Sequence, residues 1–222
     1  MNLKLGNIKT INEMKTLSYL FFITLFIFSS CSKVDTGKII IAGTYDSDLL
    51  YYEFSPPLKV ELSLDTLTDN YIGEDSIDIN QDGVYDIIIS HRIHLPPKSG
   101  TPSYDHFPFY RLTLKNGLQV ATKLQSYPVG HGQLNDVNWV DALSYKTRID
   151  TWSDWSENNE TRTMWAIPPV STAPYGPWYN LTNEEKYIGI RMKIDSRFKY
   201  GWIKVNVISR EDMQFLSYAL EK

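Results

Sequence analysis

The stretch Asp78-Ile79-Asn80-Gln81-Asp82-Gly83-Val84-Tyr85-Asp86 puts side-chain oxygens at relative positions one, three, five and nine, with glycine at six. A hard cation takes six to eight oxygens at about 2.3–2.6 Å, and alternate positions of a tight loop turn their side chains inward while glycine permits the reversal. The expected ligand set for a structural calcium ion is therefore Asp78, Asn80, Asp82 and Asp86, joined by the carbonyl of Val84. Three carboxylates within nine residues repel unless something neutralises them. Position twelve is Ile89, where an EF-hand needs a bidentate glutamate, and the flanks read as strands. The alternative is a strand turn in which Asp82-Gly83 makes the bend and the acids are solvated.

The four side chains match, residue by residue, the D-x-[DN]-x-D-G-x-x-D loops of secreted bacterial β-proteins and thrombospondin-type repeats, which the segment resembles. That resemblance implies calcium completed by the ninth-position aspartate.

One thiol, Cys31, occurs in 222 residues, so it has no internal disulfide partner. It follows Leu17–Phe28 (LSYLFFITLFIF), an uncharged apolar run. As a helix the run reaches about 18 Å, short of a hydrocarbon core of about 30 Å. A basic start, a short apolar run and small residues before a cut are the parts of a secretory signal. Met14-Lys15-Thr16 supplies that start, and Met14 is the expected true beginning.

Phe28-Ser29-Ser30-Cys31 resembles the lipobox of bacterial lipoproteins, with Phe28 where leucine is commoner. The resemblance implies a signal peptide over 1–30, lipid on Cys31, a tether over 31–37 and a place in the cell envelope at the outer membrane. An ordinary signal peptide, or a short buried helix carrying a chance cysteine, is the competing account. Anchoring through acyl chains dispenses with a spanning helix, since each buried methylene contributes about 0.8 kcal/mol and several chains hold stably.

Removing residues 1–30 takes away three lysines and one glutamate and moves the formal charge from −4 to −6. An acidic chain without a basic cluster is unsuited to neutralising a phosphate backbone, so nucleic acid is not an expected partner. The expected partners are the membrane, through lipid, and a glycan or envelope protein.

Aromatics form 14 % of the chain, and no long segment carries helical periodicity. Short runs punctuated by turn residues predict strands at 38–42, 49–54, 59–64, 78–90 around a turn, 109–114, 118–124, 162–167, 187–194, 202–208 and 214–220. Pro56-Pro57 should end the second. Asn116-Gly117 should close a hairpin between 109–114 and 118–124, because both residues tolerate the positive φ of a tight turn. Residues 137–143 read as a short helical turn. The expected fold is all-β, one antiparallel sandwich or jelly roll over 38–222. Tyr187–Arg191, Tyr200–Val205 and Tyr218–Leu220 resemble a pattern of secreted bacterial β-sandwich proteins, with Trp202 expected between sheets and Gly201 permitting close approach.

Catalytic constellations are weak. His91 and His94 fall on opposite faces of a strand and cannot share a metal. His106 and His131 stand alone, and neither a G-x-S-x-G elbow nor an H-E-x-x-H pair occurs. Glu184 with Glu185, or Asp154 with Glu157, would serve glycoside hydrolysis only at opposed separations of about 5–9.5 Å. Trp152, Trp155, Trp165, Tyr175, Trp178 and Tyr179 gather in one segment, and flat aromatic faces stack on sugar rings. Tyr175 and Trp178 are the preferred glycan contacts, on a Pro- and Gly-containing loop expected to be exposed. The expected role is a non-catalytic envelope lipoprotein serving structure, adhesion or ligand capture. The alternative is a polysaccharide-binding or polysaccharide-degrading one.

Overall fold

The computed structural model describes residues 38–68, 70–94, 107–130, 133–168 and 173–222. The signal, the tether, Cys31, His106 and His131 lie outside the described residues. Fourteen strands are described, and no helix. They are β1 (Ile40–Ile41), β2 (Leu49–Leu58), β3 (Ser63–Asp65), β4 (Asn70–Ile77), β5 (Ile87–His94), β6 (Phe109–Leu114) and β7 (Leu118–Val120). The rest are β8 (Thr122–Gly130), β9 (Gln133–Val140), β10 (Arg148–Ile149), β11 (Thr161–Ala166), β12 (Glu184–Ile194), β13 (Arg197–Ser209) and β14 (Asp212–Glu221).

Two five-stranded sheets carry the unit, ordered β11-β6-β5-β4-β3 and β2-β14-β13-β12-β7, and two ribbons, β1-β10 and β8-β9, accompany them. Every pairing between these strands is antiparallel. The alternation of apolar residues decides what each face meets. Ile87, Ile89, Leu112 and Leu114 from the first sheet share one hydrophobic cluster with Ile188, Ile190, Ile203, Val205 and Phe215 from the second. Each such side chain, when fully buried, contributes roughly 1.5–3 kcal/mol.

The second sheet is apolar on its other face as well. Tyr187, Tyr200, Trp202 and Ala219 join Ile40, Ala42 and Ile149 of the β1–β10 region in a separate cluster. Trp202 therefore packs on the face of β13 turned away from the first sheet. Its indole N–H reaches the Thr44 carbonyl at 3.1 Å. Gly201 lets the β14 main chain lie close against β13: a Cβ there would lie 2.1 Å from the Ala219 carbonyl oxygen.

Three local expectations need correction. Asn116 and Gly117 do form a tight turn, with φ of 54° and 75° and a 2.9 Å bond from Leu118 N to Lys115 O. The strands on either side of it do not pair, because β6 bonds to β5 and β11 while β7 bonds to β12. The turn hands the chain from one five-stranded sheet to the other. Residues 137–140, expected as part of a helical turn, end strand β9, whose register with β8 runs from Gln133 to Val140. Finally, β2 continues through Pro56-Pro57 to Leu58. It is an edge strand, bonded only to β14, so proline's missing N–H leaves no ladder partner unmet.

Candidate binding cleft and acidic loop

The acidic loop joins β4 to β5. Its carboxylates are met by N–H donors. Asp78 accepts from Gly83 N at 2.8 Å and Asp82 N at 3.2 Å; Asp82 accepts from Val84 N at 2.8 Å and from Asn80 Nδ2 at 2.9 Å. Gln81 and Gly83 both take positive φ, 60° and 90°, which curls the backbone around these oxygens. Amide dipoles thus offset much of the repulsion that the sequence implies.

Asp86 is held differently. It is fully buried, accepting from Ile79 N at 2.9 Å, Asn80 N at 3.4 Å and Asn116 Nδ2 at 3.0 Å. Burial pushes its carboxyl above the ordinary value, against the lowering effect of these donors. Val84 and Tyr85 are exposed. Of the five expected ligands, Asp78, Asn80 and Asp82 share one hydrogen-bond network, while the Asp86 carboxylate serves the backbone and Asn116. Among the described residues no three acidic, histidine or cysteine side chains come together as a metal-holding group. The loop fits a cation only in part.

The aromatic segment is divided. Trp178, expected to be exposed on its loop, is instead fully buried, and its Nε1 donates to the Val140 carbonyl at 2.9 Å. A ring closed off in this way has no face to offer a sugar. Trp165 is buried likewise, donating to the Arg210 carbonyl at 2.8 Å. Tyr175 is half-buried, its main chain bridging to Ala166 and its ring 5.6 Å from that of Tyr127. Trp152 is the exposed member, at 84 %.

A well-formed hollow lies elsewhere, where the β8–β9 ribbon meets the outward face of the first sheet. Its volume is about 480 Å³, and Arg92, Phe109, Arg111, Tyr127, Trp139 and Thr163 are among its lining residues. That falls within the roughly 300–1,000 Å³ of small-molecule sites. Strand alternation explains the composition: Ile89, Tyr110 and Leu112 face the core, which sends Arg92, Phe109 and Arg111 outward.

Phe109 organises the two cations. The Arg111 guanidinium carbon lies 3.9 Å from its ring centroid and that of Arg92 4.9 Å, distances at which cation–π attraction holds a guanidinium plane in place. Burial, and then the neighbouring Arg92 charge, keep Arg111 below its ordinary value. Tyr127 packs its ring edge-on to Trp139 at 6.3 Å. The Trp139 indole nitrogen is buried and has no acceptor among the described residues. On the same face of the sheet, Glu74 accepts from Ser90 Oγ at 2.9 Å.

A shallower hollow of about 460 Å³ on the other sheet is lined by Tyr45, Tyr51, Tyr187, Trp202 and Lys204. Lys204 there is paired with Glu185 at 2.8 Å. The arginine cleft was not anticipated from sequence, although the outward parity of Arg92 and Arg111 on flanking strands was a usable signal.

No protein-family model matches the chain, and no curated protein or solved structure does either.

Proposed function

We propose that this chain is a lipid-anchored protein of the cell envelope, held at the outer membrane through Cys31, whose strands over 38–222 form a β-sandwich that captures a ligand without transforming it. The leader of Leu17–Phe28 followed by Ser29-Ser30-Cys31 supports the anchor. The shared cluster of the two five-stranded sheets supports the sandwich.

The observation that carries ligand capture is the cleft between β8–β9 and the outward face of β5 and β6. Its described lining is cationic, aromatic, aliphatic and hydroxylic, the chemistry of holding a ligand in place. Growing cells with a fatty-acid probe should label the chain, and Cys31→Ala should abolish the label. An unlabelled wild-type chain rejects the anchor. A glycan array probed with the detergent-purified full chain tests capture.

A second reading concerns the acidic loop. The common network of Asp78, Asn80 and Asp82, with positive φ at Gln81 and Gly83, favours a structural calcium ion. It would fix the β4–β5 connection in register. Asp86 would remain a support for the loop backbone.

A further inference from the structure

We infer that the hollow on the outward face of the second sheet is a subsite for a neutral sugar, its ring placed against Tyr45 and Tyr51 and its hydroxyls met by Tyr187, Ser217 and the Lys204–Glu185 pair. The hollow belongs to a different sheet from the arginine cleft and stands or falls without it.

Cross-strand register builds this face. Tyr187 and Ser217 both stand opposite Lys204, and Glu53 stands opposite Ser217, so these side chains lie on one side of the sheet. Tyr51, two residues before Glu53 on β2, alternates onto the same side. Ile40, Ala42 and Ile149 cover the neighbouring part of the face, packed with Trp202 and Ala219, and the chain after β1 brings Gly43 and Tyr45 to the edge of the open part. The volume left is about 460 Å³, again that of a small-molecule site.

Three features of the hollow converge. First, two almost wholly buried hydroxyl side chains line it without a partner. Tyr187 is 4 % exposed and Ser217 3 %, and neither hydroxyl has a hydrogen-bond partner among the described residues. Neither oxygen is sealed from the open volume. Gly43 makes room for one of them, since a Cβ there would lie 2.5 Å from Tyr187 Oη. A hydroxyl is both donor and acceptor, and a ligand hydroxyl meets both needs.

Second, the hollow has free aromatic rings. Tyr45 and Tyr51 are exposed, their rings 5.3 Å apart and inclined at 63°, and Tyr51 is backed by Trp202 at 6.2 Å. Trp202 itself is floor rather than platform, being buried with its indole N–H held by the Thr44 carbonyl. Flat rings held by their neighbours suit the apolar faces of a pyranose.

Third, the charges favour an uncharged ligand. Lys204 is engaged by Glu185 at 2.8 Å, so the cation of the hollow is already neutralised, and Glu53 leaves the face acidic. The pair still offers ammonium donors and carboxylate acceptors, and sugar hydroxyls use both. A proline-rich peptide also stacks on tyrosines. It brings carbonyl acceptors but few donors, and would leave the carboxylates unmet.

The test measures binding of the detergent-purified full chain to neutral gluco-, galacto- and manno-oligosaccharides, each beside a uronate-bearing counterpart, and to a proline-rich peptide. At least one neutral probe should bind, more tightly than its uronate counterpart. Its affinity should change little between about 0.05 and 0.5 M salt, because the ligand carries no charge to be screened. Tyr51→Ala should weaken binding about tenfold or more, and Tyr51→Phe should fall between it and wild type, because the ring survives and the hydroxyl does not. Tyr45→Ala, outside the strands, should weaken it as well. Melting temperatures of the three variants, measured alongside, separate lost binding from lost folding. A uronate probe binding better than its neutral counterpart, or the peptide binding alone, overturns the sugar assignment. Full binding of a neutral probe by folded Tyr51→Ala and Tyr45→Ala proteins overturns the site while leaving ligand capture at the arginine cleft standing. Binding of none of the neutral probes overturns the subsite, and capture at the arginine cleft is then decided by the wider array.

Discussion

The Tyr218 hydroxyl donates to the Asp78 carbonyl at 2.8 Å. Tyr218 belongs to β14 of the second sheet and Asp78 opens the acidic loop of the first, so this bond helps tie the loop to the opposite sheet. Gln81 Nε2 donates to the same hydroxyl at 3.3 Å. Tyr218→Phe removes both partners at once and leaves the part-buried Asp78 carbonyl unmet. A loss of about 1–2 kcal/mol is expected in urea unfolding. An unchanged midpoint would mean that water replaces the hydroxyl without penalty.

His91 gives a pH dependence of definite sign. It is 2 % exposed, stacked on Tyr110 at 4.5 Å, and burial pulls its imidazole from 6.5 down to about 4 against the opposing Asp212 carboxylate. Above 6.5 the residue is neutral in both states and titration contributes nothing. Between 6.5 and 4 the unfolded chain takes up a proton that the folded chain refuses, so stability falls as the pH falls, by roughly 3 kcal/mol in all. His91→Phe keeps the stack and should flatten this part of the curve. Denaturant titrations at pH 7, 5.5 and 4 measure it, and parallel curves for the two proteins would refute it.

Gly201→Ala should be severely destabilising. The new methyl would sit 2.1 Å from the Ala219 carbonyl oxygen, a backbone atom with no flexible end to move aside. Overpacking of this kind costs about 1–3 kcal/mol or more. The alanine protein should melt well below wild type, and a shift of only a degree or two would show that β13 and β14 can part there.

Calcium addition tests the loop. If Asp78, Asn80 and Asp82 hold the ion, calcium at about a hundred times its dissociation constant should raise the melting temperature by about 5–10 °C. Asp82→Ala should remove that rise while the calcium-free melting temperatures supply the baseline. A flat calcium response in the wild type rejects the ion and leaves the amide network as the loop's whole support.

Strands were legible where apolar runs lie between turn residues. Residues 187–194 and 202–208 were placed on this basis, and they lie within β12 and β13. Pairing was not legible at Asn116-Gly117: a turn dipeptide dictates a reversal of direction, but nothing local says which sheet receives the outgoing strand. Strand β9 escaped notice because Gln133–Asn138 is mostly exposed on a two-stranded ribbon, so no period was imposed on it. Trp178 misled for a related reason. Proline and glycine around it indicate a loop, yet the loop dips inward, where the Val140 carbonyl satisfies the indole. The cleft was hidden because its walls come from residues far apart in the chain, Arg92 and Arg111 on one side and Tyr127 and Trp139 on the other. Only the placement of the ribbon brings them together.

The second five-stranded sheet is apolar on both sides, and three of its strands, β12 to β14, are the last in the described chain. Early strands such as β2 and β7 therefore wait for neighbours that are synthesised well after them. A nascent chain stopped before Glu184 would lack β12 to β14, and with them the partners of β2 and β7 and much of both cores. Assembly of the second sheet is thereby deferred until β12 to β14 have been made.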